Sequence, residues 1–190
     1  MHQLFAAIAL VISTILPFGC SSPSNFANKA EEITTVNNFP YSVFVEAPAM
    51  QAFEIVTVSR GWTAERIVRW EPFVSAVMRR ESGYCPNLRR GAKMTGKGCE
   101  FSKQGFGTDS GFGQVISIHY GIGRWMCVQE KLCSADDIIA TPWNSMTALV
   151  ALIEKDGFRP WCYTDALRAG PVCALAPMGT ITVIKEPVAK

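Results

Sequence analysis

The stretch MRRESGYCPN, residues 78–87, carries one carboxylate, Glu81. A little further on, TDSGFGQVISIHYG, residues 108–121, brings Asp109, the amide Gln114 and His119. Val74, Val77 and Met78 recur at three- and four-residue spacing, and continuing that interval lands on Glu81, so the acid closes an apolar helical stripe. A carboxyl so placed loses hydration, which disfavours its charged form and suits it to donate a proton near neutral pH. The same periodicity also admits a Glu81 turned outward, or paired with Arg79, Arg80, Arg89 or Arg90.

The elements that must position these residues are mostly helical. Thr63 caps a short helix with Glu65 in its first turn, and Pro72 suits the first position of a second helix, so two helical pieces are expected to meet near Trp70. Residues 87–113 are rich in Gly, Lys, Ser and Thr and read as loops or a small irregular β-region. Beyond it, Ser134 to Asp137 has capping-box spacing with Asp in place of Glu, and Thr141-Pro142 offers an N-cap followed by an N1 proline. Trp143, Met146, Leu149, Val150 and Ile153 then share a stripe. That helix is expected to be long, largely buried and stopped by Gly157.

Ahead of this region, residues 41–58 read as two β-rich pieces broken by Ala-Pro, forming an edge hairpin or an extended wrap. Residues 21–40 are polar and poor in large apolar side chains, as a tether would be. Residues 1–20 hold an apolar stretch from Leu4 to Phe18, about the length of a signal-peptide core and too short to span a bilayer comfortably. Gly19-Cys20-Ser21-Ser22 resembles the cleavage box of bacterial lipoproteins, which would lipidate Cys20 and anchor the protein to a membrane. Pro17 and Phe18 depart from that box, and ordinary secretion is the alternative. The expected layout is a signal peptide to residue 20, a tether over 21–40, an extension over 41–61, one domain over 62–175 and a tail over 176–190.

Of seven cysteines, the six beyond Cys20 form an even set in a chain that reads as exported. Short sequence gaps favour Cys85–Cys99, Cys127–Cys133 and Cys162–Cys173. A zinc site is the rival reading, but His119 is the one histidine beyond the leader and no CxxC pair is present. With 48% hydrophobic and 18% charged residues the chain has the composition of one folded domain. A net charge of +2, without a basic tract interleaved with aromatics, argues against a nucleic-acid partner.

RRESGYCPN followed by DSGFGQV resembles the lysozyme-like lytic transglycosylases of bacteria and their phages, in which a Glu-Ser pair ends a central helix and a later Gly-hydrophobic-x-Gln motif lines the sugar cleft. The interval from Glu81 to Gln114 is slightly long for that family and suits a disulfide-tied insertion. WNSMTALVALIEKDGFRPWCY resembles the family's closing region, and the likeness covers about residues 62–165. It implies a lysozyme-like, mainly α fold with a small β region. The implied activity is lytic cleavage of the MurNAc–GlcNAc bond in peptidoglycan glycan strands by a single catalytic Glu81, with no metal or organic cofactor. The family's Ala-Tyr-Asn-like triplet has no clear match, Tyr120 and Tyr163 being imperfect stand-ins.

The resemblance implies that Ser82 orients Glu81, or else Ser82 merely caps the helix end. Gln114 is expected to contact a sugar N-acetyl or hydroxyl group, with a surface amide as the alternative. Tyr84, Phe112 and Trp161 stack on sugar rings or else pack in the core, the latter being favoured for Trp161. His119 is expected to be structural, and Asn144 to cap, pack or bind. A hydrolytic lysozyme would need a second carboxylate, for which Asp109 is a better candidate than Glu100. A wall-binding or assembly protein without turnover is the reading from another class.

Overall fold

The computed structural model describes residues 33, 36–37, 45–95, 98–162 and 170–177. The signal segment, Cys20, most of the expected tether, Tyr163 and nearly all of the tail lie outside them. The described residues are mainly helical, with one two-stranded sheet and three disulfides.

Helix α1 (Glu46–Ser59) lies where extended chain was expected. Its β-branched run IVTV favours strands locally. The spacing of Ala49, Ala52, Phe53 and Val56 nevertheless presents one apolar face, and all four are fully buried. Pro48 sits in the first turn, where a missing N–H breaks no helical bond. α1 packs on the long helix near the C-terminal end of the domain. Within the expected tether, Val36 is fully buried and Asn37 Oδ1 accepts the Trp143 N–H at 3.1 Å, so the chain already touches the domain there.

Helix α2 (Ala64–Ser82) is a single helix, not two pieces. Thr63 caps it as expected, its hydroxyl accepting the Arg66 N–H. Pro72 lies inside and forgoes one backbone bond, while the stripe of Ile67, Phe73, Val74, Val77 and Met78 runs past it without a break. Gly83 ends α2 in the left-handed conformation, φ 58°, which costs a residue without a Cβ little.

The insertion after α2 is pinned by Cys85–Cys99. It contains strands β1 (Lys93–Met94) and β2 (Phe101–Lys103), antiparallel with an irregular register. Helices α3 (Trp125–Glu130) and α4 (Ala135–Ile139) follow. Ser134 Oγ accepts the Asp137 N–H, and the Asp137 carboxylate reaches back to the Cys133 N–H, one residue before the cap a capping box would serve.

Helix α5 (Pro142–Asp156) is the hub. Thr141 caps it, every residue from Ser145 to Ile153 is buried, and Gly157 stops it at φ 64°. α1, α3 and α4 all pack on it, and a short α6 (Gly170–Ala174) packs on α2. A file of edge-to-face rings, Phe53, Trp62, Trp70, Phe73 and Trp161, carries the core from α1 across α2, with centroids 5.7–6.2 Å apart.

The expected cysteine pairing is the one observed: Cys85–Cys99, Cys127–Cys133 and Cys162–Cys173 have Cα separations of 5.2, 4.2 and 5.5 Å. Three such bonds are consistent with an oxidising compartment. Among the described residues no helix is long and apolar enough to cross a membrane.

Candidate active site

The last turn of α2 opens into a cleft of about 530 Å³, which Glu81 shares with Asp109, Gln114, His119, Asp156 and Trp161. Glu81 stands where the stripe predicts, after Val77 and Met78, with 26% of its side chain exposed. Of the four candidate cations it pairs with Arg80, whose Nε and Nη2 lie 2.7 and 2.6 Å from Oε1. Oε2 accepts no hydrogen bond from a described residue. Arg89 pairs instead with Asp136, and Arg90 with Asp109.

Gln114 sits on a tight turn at φ 48°, within the glycine-rich loop that two local pairings hold, Arg89 with Ser110 and Ser110 with Val115. Its Nε2 donates to the Leu88 and Gly111 carbonyls at 3.2 and 3.0 Å. That fixes the amide and leaves Oε1 without a partner among the described residues. The loop is seated on α5 by Ser145, whose Oγ accepts the Phe112 N–H at 2.8 Å, and on the cleft floor by Trp161, whose Nε1 donates to Gly113 O at 3.0 Å. Gly113 packs closely here: a Cβ would come within 2.9 Å of Leu149 Cδ1 and 3.1 Å of the Trp161 ring, so both side chains would have to give way. Asp109 holds Arg90 at 3.4 Å and receives the Thr108 hydroxyl.

The cleft's other wall comes from the end of α5 and from the loop before α3. His119 Nδ1 lies 4.0 Å from Asp156 Oδ2, and its ring meets Trp125 edge-on. Burial lowers the His119 pKa below its ordinary 6.5 and Lys155 lowers it further, against the pull of Asp156, so the imidazole is neutral at pH 7. Expected to be structural, His119 both packs and lines the cleft. Trp161 likewise belongs to the core and forms part of the floor.

Four expected substrate-binding residues do not reach this cleft. The Ser82 hydroxyl is spent on Met78 O, 3.0 Å away and one helical turn back, so it does not orient Glu81. Tyr84 Oη meets Ser75 Oγ, which donates to Glu46, in a separate hollow of about 540 Å³. That hollow is lined by Ser75, Ala76 and Arg79, on the side of α2 roughly half a turn from Glu81. Phe112 is fully buried. Tyr120 is 5% exposed and donates its hydroxyl to Thr108 O; burial raises its pKa. Asn144 joins α5 to α4 through Asp137 O at 2.8 Å.

Sequence reasoning missed Asp156 and Arg159, which line the cleft. Asp156 ends the α5 helix one residue before its glycine stop, but no local pattern shows that this end meets the 115–119 loop. Among the described residues no three His, Cys, Asp or Glu side chains are grouped as a metal would need.

The chain matches no family model, and neither a curated protein nor a solved structure matches it.

Proposed function

We propose that the chain is a lysozyme-like lytic transglycosylase, exported to the cell envelope, that cleaves the MurNAc–GlcNAc bond of peptidoglycan glycan strands. The observation that carries this reading is Glu81 at the end of the α2 stripe, lining one cleft with the fixed amide of Gln114 and keeping Oε2 unoccupied by any described residue. Glu81 gives its proton to the glycosidic oxygen as the C1–O bond breaks, and the bonding pair leaves with that oxygen. The muramyl 6-hydroxyl oxygen then closes on C1, and its proton returns to Glu81. The carboxyl ends as it began, the product is a 1,6-anhydro sugar, and no cofactor is consumed. Gln114 Oε1 accepts from a sugar N–H or hydroxyl, and the Trp161 edge supports a ring face.

Hydrolysis by a lysozyme route is the second reading, and Asp109 supports it, because this carboxylate lines the same cleft. The two readings differ by one water in the product. Purified peptidoglycan incubated with the oxidised protein is expected to release fragments one water lighter than reducing-end fragments, and none with Glu81→Gln. Ordinary reducing ends would replace the lytic reading by the hydrolytic one. Release by Glu81→Gln equal to wild type would remove Glu81 from both, and no release by either protein would leave a wall-binding role.

A further inference from the structure

We propose that Arg80 is a positioning residue for Glu81, anchored on the Trp161 carbonyl and gripping one carboxylate oxygen so that the other meets the substrate. The proposal rests on the lytic reading above and concerns how its acid is held. Adjacent residues on a helix leave the axis about 100° apart, so neighbours in sequence do not ordinarily face each other. Arg80 nevertheless turns to Glu81 and sets two nitrogens, Nε at 2.7 Å and Nη2 at 2.6 Å, on the same oxygen, Oε1. Helix geometry alone does not produce that contact.

A second contact accounts for it. Arg80 Nη2 also donates to the carbonyl of Trp161, the residue on the cleft floor, at 3.2 Å. Trp161 is itself held three ways: by its Nε1 on Gly113 O, by its ring edge-on to Phe73 at 6.0 Å, and by the bond from the next residue, Cys162, to Cys173. The guanidinium thus spans from the fixed backbone of Trp161 to a carboxylate at a helix end. Planar, forked donors do this, and a lysine ammonium on a flexible stem does not.

The arrangement bears on the chemical step and not only on stability. As the proton leaves Glu81 for the glycosidic oxygen, negative charge develops on the carboxylate, and a cation already seated on Oε1 meets that charge without rearranging. When the 6-hydroxyl proton returns, the same grip keeps Oε2 towards the sugar. Arg79, the preceding cation, lines the hollow on the other side of α2, and Arg159 lines the cleft without a bond to Glu81 among the described residues.

The test uses the full oxidised chain acting on soluble uncrosslinked glycan strands, with kcat, KM and Tm measured for Arg80→Met, Arg80→Lys and Arg79→Met. Losing a hydrogen bond to a charged group predicts a fall in kcat of roughly 10- to 100-fold in Arg80→Met, with KM nearly unchanged. Arg80→Lys recovers part of the loss and Arg79→Met keeps wild-type kcat. Guanidinium ion added at non-denaturing concentration to Arg80→Gly raises kcat to a plateau, which a merely weakened fold would not show. If Arg80→Met does not fold, Arg80→Lys and the rescue carry the test. Wild-type kcat in Arg80→Met, a loss confined to KM, or failed rescue of a folded Arg80→Gly overturns the proposal and leaves the lytic reading standing. A wild-type protein that releases nothing overturns both.

Discussion

Arg60, just past the end of α1, is the residue whose replacement by Met is expected to loosen the domain most selectively. Its guanidinium donates to Glu130 at the end of α3, at 2.9 and 3.0 Å, and to Glu154 in α5, at 2.9 and 2.5 Å. Trp62 Nε1 adds a bond to Glu154 at 2.7 Å. Burial opposes the Arg60 charge, but Glu130 and Glu154 outweigh it, and the net effect holds the side chain above its already high ordinary pKa. Methionine keeps most of the aliphatic stem and removes the cation, which leaves two carboxylates facing each other.

Breaking a fully buried pair costs about 3–5 kcal/mol. The Arg60, Glu130 and Glu154 side chains keep 24%, 15% and 27% exposure, so water recovers part of that, and about 2–3 kcal/mol is expected. At about 2–4 °C per kcal/mol for a chain of this size, Tm falls by roughly 4–12 °C. Calorimetry of the oxidised proteins reads it directly. The further change Glu154→Gln should cost less in the Arg60→Met background than in wild type, since the two residues share one network. A Tm within about 2 °C of wild type, or strict additivity of the two substitutions, would refute the clamp.

Two further outcomes follow from other parts of the molecule. A Cβ at Gly105 would stand 2.2 Å from Arg89 O and 2.5 Å from Arg90 O, both backbone atoms that cannot swing aside, in the loop whose Arg90 N–H donates to Asp109 O. Gly105→Ala is therefore expected to cost at least about 2 kcal/mol in urea unfolding and more than Gly61→Ala, where only the positive φ is strained; equal costs would contradict the packing. For His119, whose folded pKa is depressed, the unfolded chain binds the proton more readily, so its stabilisation is present above pH 6.5 and lost as pH falls through the lower folded value. The drop in Tm between about pH 7.5 and about pH 5.5 should shrink in His119→Gln, and an unchanged drop would show that His119 does not contribute to it.

Local chemistry made much of this fold legible. Thr63, Ser134 and Thr141 cap the helices they were expected to cap, and Gly157 stops α5, because a cap needs only a side chain and the turn beside it. The cysteine pairs were legible for the same reason, since each closes a short loop. Residues 46–59 misled because β-branched preference outweighed a helical spacing whose partner, α5, lies far along the chain. Pro72 misled because a proline that starts a helix and one tolerated within it look alike until the packing of Phe73 and Val74 is known.

At the cleft, the stripe located Glu81 and offered Arg80 among four cations, but selecting Arg80 required the Trp161 carbonyl. Ser82, Phe112 and Tyr120 each neighbour a cleft residue in sequence and face elsewhere, because one step along a helix or turn changes the direction of a side chain completely, and Tyr84, three residues from Glu81, opens on another hollow. His119 and Asp156 face each other across the cleft lining at 4.0 Å. Their loop and helix end meet only once α5 has packed, and no window of sequence contains both.

The disulfides have a consequence for how the chain reaches its folded state. The six described cysteines pair off in order of sequence, at separations of 14, 6 and 11 residues, so none of these bonds spans another and none waits for a distant partner. A chain entering an oxidising compartment from its N-terminal end presents Cys85 and Cys99 before Cys127 arrives, and each later pair in turn. An oxidase that joins thiols as they appear then writes the native set, one of the fifteen that six cysteines permit, without an isomerase to correct it. The last of the three pairs to close, Cys162–Cys173, is the one beside Trp161, so the carbonyl that anchors Arg80 is secured after the other two bonds have formed.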